Sequence, residues 1–186
     1  MYAATLEVVA EVGAAGVSVE RIAERSGVAR STIYRRWPDQ SRLYLEAFAQ
    51  LARHTAAPAT GNTAVDLENY LTETAERLND PAYVSVLIAL LDRVARDADF
   101  AKLYRQIFDE RRSRAATILR AGMRAGVIGK KADVQEAVSD LLAPLTYMSL
   151  VRHERIQSRD VQRVLRNVLD RYGTGTGAPS ADGQPA

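Results

Sequence analysis

Eleven residues from Arg30 to Gln40, RSTIYRRWPDQ, concentrate most of the chemistry this chain carries. Arg30, Ser31, Thr32, Tyr34, Arg35 and Arg36 bring guanidinium, hydroxyl and phenol groups to one short segment. Donors and cations gathered this way suit the base edges and phosphates of a DNA major groove. To reach a groove together they must share the outer face of a helix, and the flanking residues predict one. Ser18 can cap a first helix by accepting a backbone N–H. Val19, Ile22 and Ala23 then fall on one face, and Gly27 supplies the positive φ that ends the helix. Val28 and Ile33 look inward from the second helix and leave the polar set outside. Gly16 to Trp37 thus reads as a helix-turn-helix.

Other chemistries find little support. The chain has no cysteine, which excludes disulfides, thiol nucleophiles and zinc–thiolate sites. Its two histidines, His54 and His153, lie on different helices with no motif around either. No Gly-x-Ser-x-Gly elbow occurs, and Gly129-Lys130-Lys131 lacks the earlier glycine and the Ser or Thr of a phosphate loop. We therefore expect no enzyme activity, no metal and no cofactor. Net charge is only +2, but Arg30, Arg35, Arg36 and Arg42 cluster against a single Asp39 in a neutral first 50 residues. A local basic patch fits a focused DNA contact better than general polyanion binding.

With 47% apolar residues but only 6% aromatics, 186 residues can bury a core built mainly on Ala, Val and Leu, which favours helices. No stretch approaches the roughly 18 apolar residues of a membrane span, and the N-terminus does not read as a signal peptide. A soluble, cytoplasmic protein is expected. Helices are predicted near residues 2–13, 19–25, 29–36, from Asp39, 63–79, 81–97, from Asp99 to about Gly126, 133–153 and 159–172, with a break at 56–62. Pro144 is expected to kink the eighth. The fold class is all-α, with no strand signal. The expected domains are a helix-turn-helix head, 1–45, a helical body, 46–172, and a flexible tail, 173–186.

From Ser26 to Trp37 the pattern of small residue, Gly-Val, small polar residues, aliphatic, Tyr, two basic residues and aromatic resembles the N-terminal domain of TetR-family transcriptional regulators. The match continues through Pro38, Asp39 and Gln40 into Leu43. The resemblance implies that Arg30 reads a base, with Ser31, Thr32 and Tyr34 beside it; packing under helix 1 is the alternative for Tyr34. Arg35, Arg36 and Ser18 would contact phosphates, while Trp37 clamps helix 3 in the core. Gln40 stands where the family usually has a basic phosphate contact, and Ala29 where many relatives cap helix 3 with serine. The chain starts within helix 1, so the basic arm that many relatives carry before it is expected to be missing.

The resemblance further implies a homodimer reading a palindromic operator, and a small-molecule effector in the body. Helices 8 and 9 carry more apolar face than one core needs, which predicts a seam of Leu141, Leu145, Met148, Val161, Val164, Leu165 and Val168. The alternative is that both helices close the monomer core. The expected effector pocket uses Tyr83, Leu87, Tyr104, Phe108, Met123 and Tyr147, with Asp92 or Thr117 as polar contacts. Such a lining suits an apolar or aromatic effector. Repression is the expected direction of control, with activation on the same scaffold as an alternative. A helical protein-interaction module without DNA reading is the rival from another class.

Overall fold

Most helices begin where a side-chain oxygen takes up a backbone N–H that the first turn leaves without a partner. The computed structural model describes residues 1–51 and 59–175, and side chains within them other than those of residues 14, 15, 51 and 107–112. The Phe108 side chain, His54, residues 56–58 of the expected break and 176–186 of the expected tail lie outside the described residues. Among the described residues the helices run in the order α1 (Tyr2–Gly16), α2 (Val19–Ser26), α3 (Arg30–Arg36), α4 (Gln40–Leu51), α5 (Thr63–Leu78), α6 (Pro81–Arg96), α7 (Ala98–Arg124), α8 (Val134–Leu150) and α9 (Ser158–Tyr172). No strand appears among them, only one isolated bridge between Ile128 and Gly173.

Asn62 caps α5 through Ala64 and Val65, Asp80 caps α6 through Ala82 ahead of Pro81, and Asp133 caps α8 through Gln135 and Glu136. Gly13, at φ 71°, interrupts α1 where the predicted helix ended. The start of α7 differs from expectation. Asp97, not Asp99, accepts the Phe100 N–H at 2.9 Å, which puts Asp99 inside the first turn.

Helix α8 continues through Pro144 but stops at Leu150, short of the expected 153. His153 takes a positive φ of 53° there. The chain beyond is tied elsewhere: the Asn79 side chain brackets the Ile156 backbone with two 2.8 Å bonds, and Ser149 Oγ donates to Leu78 O.

One contiguous apolar core runs from the first three helices into the body. Helix α1 packs on α2, α4 and α6, while α5, α8 and α9 pack on one another. The residues expected at an inter-chain seam fall within this part of the chain's own core. Leu141, Leu145, Met148, Val161, Val164, Leu165 and Val168 are all buried within the single chain. Within the chain, α8 packs on α5, α7 and α9, and α9 packs on α5 and α8. The outward face of α8 instead carries Ala143, Pro144, Tyr147 and Val151, the last two 56% and 61% exposed.

Candidate nucleic-acid interface

Ser18 Oγ accepts the Arg21 N–H at 3.3 Å to start α2, and Gly27 at φ 69° ends it, with its own N–H on Ala23 O at 2.9 Å. The chain then turns sharply into α3, which has no side-chain cap at Ala29. A seven-residue helix without a cap is too short to persist alone. Tertiary packing holds it: Ile33 is fully buried and Trp37 nearly so. With those two turned inward, Arg30, Ser31, Thr32, Tyr34, Arg35 and Arg36 are all exposed on the opposite side.

Trp37 clamps the end of α3. Its ring meets Tyr2 of α1 edge-on at 5.9 Å, and its Nε1 donates to Glu46 of α4 at 2.8 Å. Helix α2 is held on α1 by Arg25, which reaches Glu7 at 3.1 Å and Glu11 at 2.8 Å. Tyr34 does not pack under α1. It is 43% exposed, and its hydroxyl approaches Glu20 Oε1 at 3.4 Å. Glu20 also feels Arg30, and the backbone N–H, Ser18 and Arg30 together hold its carboxyl below the ordinary value.

Gln40 is half-buried, and its Oε1 accepts from the Tyr44 hydroxyl at 3.0 Å, which leaves the amide NH2 as its donor. The Tyr44 hydroxyl also reaches Val17 O at 3.3 Å. Burial pushes it up to about 12, so it stays a donor at neutral pH. The body touches this region through Arg93 of α6. Its guanidinium lies 4.6 Å from the Phe100 ring centroid and 5.9 Å from that of Tyr44, and Nη2 donates to Ser41 Oγ at 3.0 Å. An open cleft of about 460 Å3 lies between Arg36, Trp37, Pro38, Asp39, Arg42 and Glu46. Sequence reasoning missed Glu46 and Arg93. Only the four-residue spacing of Glu46 from Arg42 hinted at either.

A rigidly backed helix that turns donors and cations outward can enter a groove and hydrogen-bond to bases and phosphates. The residues expected to line an effector pocket divide. Tyr83 and Leu87 are buried in the core, and Tyr104 and Met123 pack against it. Asp92 is exposed and paired with Arg96 at 2.9 Å, Thr117 donates to Ser113 O at 2.7 Å, and Tyr147 faces outward. Among the described residues no group of three or more His, Cys, Asp or Glu could hold a metal, and no helix is long and apolar enough to cross a membrane.

Known proteins share this arrangement. Residues 2–47 match the family described as bacterial regulatory proteins, tetR family, and residues 57–168 match the tetracyclin repressor-like C-terminal domain. The HTH-type transcriptional regulator YdeS of Bacillus subtilis (strain 168) is 25% identical over 171 residues, covering 91% of this chain and 86% of that protein. The solved TetR family transcription regulator SCO0332 is 30% identical, with a TM-score of 0.74 over 91% of this chain and 94% of its own. The regulator FadR from Bacillus subtilis, solved with stearoyl-CoA, shares the fold at 18% identity, with a TM-score of 0.68 over 95% of this chain and 97% of its own. With both family domains matched in order and an outward-facing α3 braced by Ile33 and Trp37, the chain belongs to the TetR family of DNA-binding transcriptional regulators.

Proposed function

We propose that this chain is a ligand-responsive repressor that binds a palindromic operator as a homodimer. The exposed face of α3 carries this reading, because every outward side chain from Arg30 to Arg36 is a donor or a cation. Arg30, at the N-terminal end of α3, reads a base, with Ser31, Thr32 and Tyr34 beside it. Arg35 and Arg36 grip phosphates, and Ser18 and the Gln40 amide contribute phosphate contacts at the edges. Helix 1 to the start of helix 4 acts as the reading head and the remaining helices as the body.

One recognition helix buries too little surface for tight, specific binding, so two heads must act together. Since the buried stripes of α8 and α9 are already used, the seam forms on the outward face of α8, through Ala143, Pro144, Tyr147 and Val151. The effector is apolar or aromatic. Tyr83, Leu87, Tyr104 and Met123 supply a matching environment, and the stearoyl-CoA complex of the similarly folded FadR supports an apolar guest. An effector shifts control only by binding one spacing of the heads better than the other. Acting on DNA, such a regulator works in the cytoplasm.

Sequencing of random duplex DNA retained by the purified protein tests the reading. A two-fold symmetric motif supports it. An unenriched pool from folded protein refutes sequence reading. A reporter under the recovered motif should rise when the gene is deleted; a fall would make the protein an activator.

A further inference from the structure

Two arginines edge the cleft at the end of α3, and they stand in different chemical situations. The Arg42 Nε donates to Glu46 Oε1 at 2.9 Å, so its charge is matched by a carboxylate. The Arg36 guanidinium lies 4.9 Å from the Trp37 ring centroid, and Arg36 is in no ion pair among the described residues. Stacking fixes the plane of a guanidinium but leaves its N–H donors, which lie in that plane, free to point at an anion. The indole is itself fixed by Glu46, through the 2.8 Å bond from Nε1, and by the edge of Tyr2. The Tyr2 hydroxyl also approaches Glu46 Oε2 at 3.4 Å. One carboxylate thus gathers donors from α1, the end of α3 and α4.

We propose that Glu46 is a positioning residue of the DNA face: it locks the Trp37 indole as the platform that presents Arg36 to a backbone phosphate, and it holds Arg42 back from the DNA. This rests on the reading of α3 as the DNA-facing helix. It reverses what a count of basic residues would suggest, since Arg42 belongs to the same cluster yet makes no contribution to binding. Glu46 lies nine positions from Trp37, and no local pattern pairs the two.

The test is the salt dependence of binding, because each neutralised phosphate adds about 0.9 to the slope of log K against log salt. The probe is the duplex most strongly retained from a random pool by the unmodified protein. Arg36→Ala should make the slope shallower by about 0.9 per phosphate lost. Arg42→Ala in the native background should leave it unchanged. Glu46→Gln keeps a carbonyl acceptor for the indole N–H but removes the charge that holds Arg42. It should steepen the slope by about 0.9 per phosphate gained, and adding Arg42→Ala should restore the native value. Fluorescence of Trp37, the single tryptophan, checks that the indole stays in place.

A slope that falls in Arg42→Ala as it does in Arg36→Ala overturns the division of labour, and an unchanged slope in Glu46→Gln overturns the role of Glu46. If Arg36→Ala itself leaves the slope unchanged, the phosphate role of α3 fails and the proposal with it. If Arg36→Ala acts and Glu46→Gln does not, only the role of Glu46 falls. The Arg42→Ala arm decides even if Glu46→Gln fails to fold.

Discussion

At the scale of single side chains, the reading head divides into groups engaged within the protein and groups left to meet DNA. Ser18 Oγ accepts the Arg21 N–H and keeps its own O–H as a donor, the Gln40 carbonyl accepts from Tyr44 and leaves the amide NH2, and Arg25 is spent on Glu7 and Glu11. Arg30 is exposed at the N-terminal end of α3, the end that the proposed reading places deepest in a groove. A guanidinium there, bidentate to a guanine, discriminates one base pair. Arg30→Ala should therefore relax preference at one position of each half-site and cost about 1–3 kcal/mol per half-site. Repeating the selection with the variant checks this. A motif retained unchanged in all positions would remove Arg30 from base reading.

At the scale of elements, the short α3 depends on its neighbours, and the long α9 depends on a tie at its end. The Gly129 N–H donates to Tyr172 O at 2.8 Å and the Thr174 N–H to Val127 O at 3.1 Å, joining the α7–α8 loop to the end of α9. Gly173 sits within that tie, where a Cβ would collide with the backbone carbonyl of Leu169. A carbonyl in a helix cannot swing aside like a side-chain end, so Gly173→Ala must push the tie apart. The expected cost is about 1–3 kcal/mol, a Tm lower by about 2–12 °C at this chain length. Gly129→Ala is the control. Its Cβ would lie 3.4 Å from Tyr172 O, a contact that a shift of tenths of an ångström relieves. Thermal melts that rank the two variants in the opposite order would remove the close approach as the reason for glycine at 173.

For the whole molecule, two properties follow from how charge and apolar surface are distributed. The proposed seam uses side chains that the monomer leaves in solvent, so changing one should spare folding and weaken association. Tyr147→Glu should shift the sedimentation profile from dimer toward monomer with an unchanged melt; an unaltered dimer would move the seam off α8.

The second property is sensitivity to acid. Burial works to raise Glu46, but bonds from Trp37 and Arg42 outweigh it and hold the carboxyl below its ordinary 4.5. Backbone N–H groups of Thr60 and Phe100 likewise hold Asp66 and Asp97 below 3.8. Groups with depressed folded values contribute stability at neutral pH and lose it as pH falls through those values. The Tm should hold above about pH 5 and fall toward about pH 3, less steeply in Glu46→Gln. A Tm that stays flat through that window would show that these bonds do not distinguish folded from unfolded chain.

The sequence alone determined the helices and the reading motif, because their signals are local. Caps such as Asn62, Asp80 and Asp133 act within three residues, Gly27 turns the chain at one position, and a 3.6-residue stripe marks which face turns inward. The same locality made Ile33 and Trp37 legible as the inner side of α3. Small shifts at Asp97 and Leu150 mark where that locality ends, since two aspartates two positions apart compete for one cap and the exit from α8 answers to Asn79. Tertiary structure decided what covers each stripe. Val161 to Val168 declared an apolar face on α9, and only the tertiary structure shows it packed against α5 and α8 of the same chain. It also decided the polar contacts between distant residues, with Glu46 meeting Tyr2 and Trp37, and Arg93 meeting Ser41 across 52 positions. Hydrogen bonds of this kind depend on groups brought together by the path of the whole chain, and for Tyr2 with Glu46 and Arg93 with Ser41 no short window of sequence contains both partners.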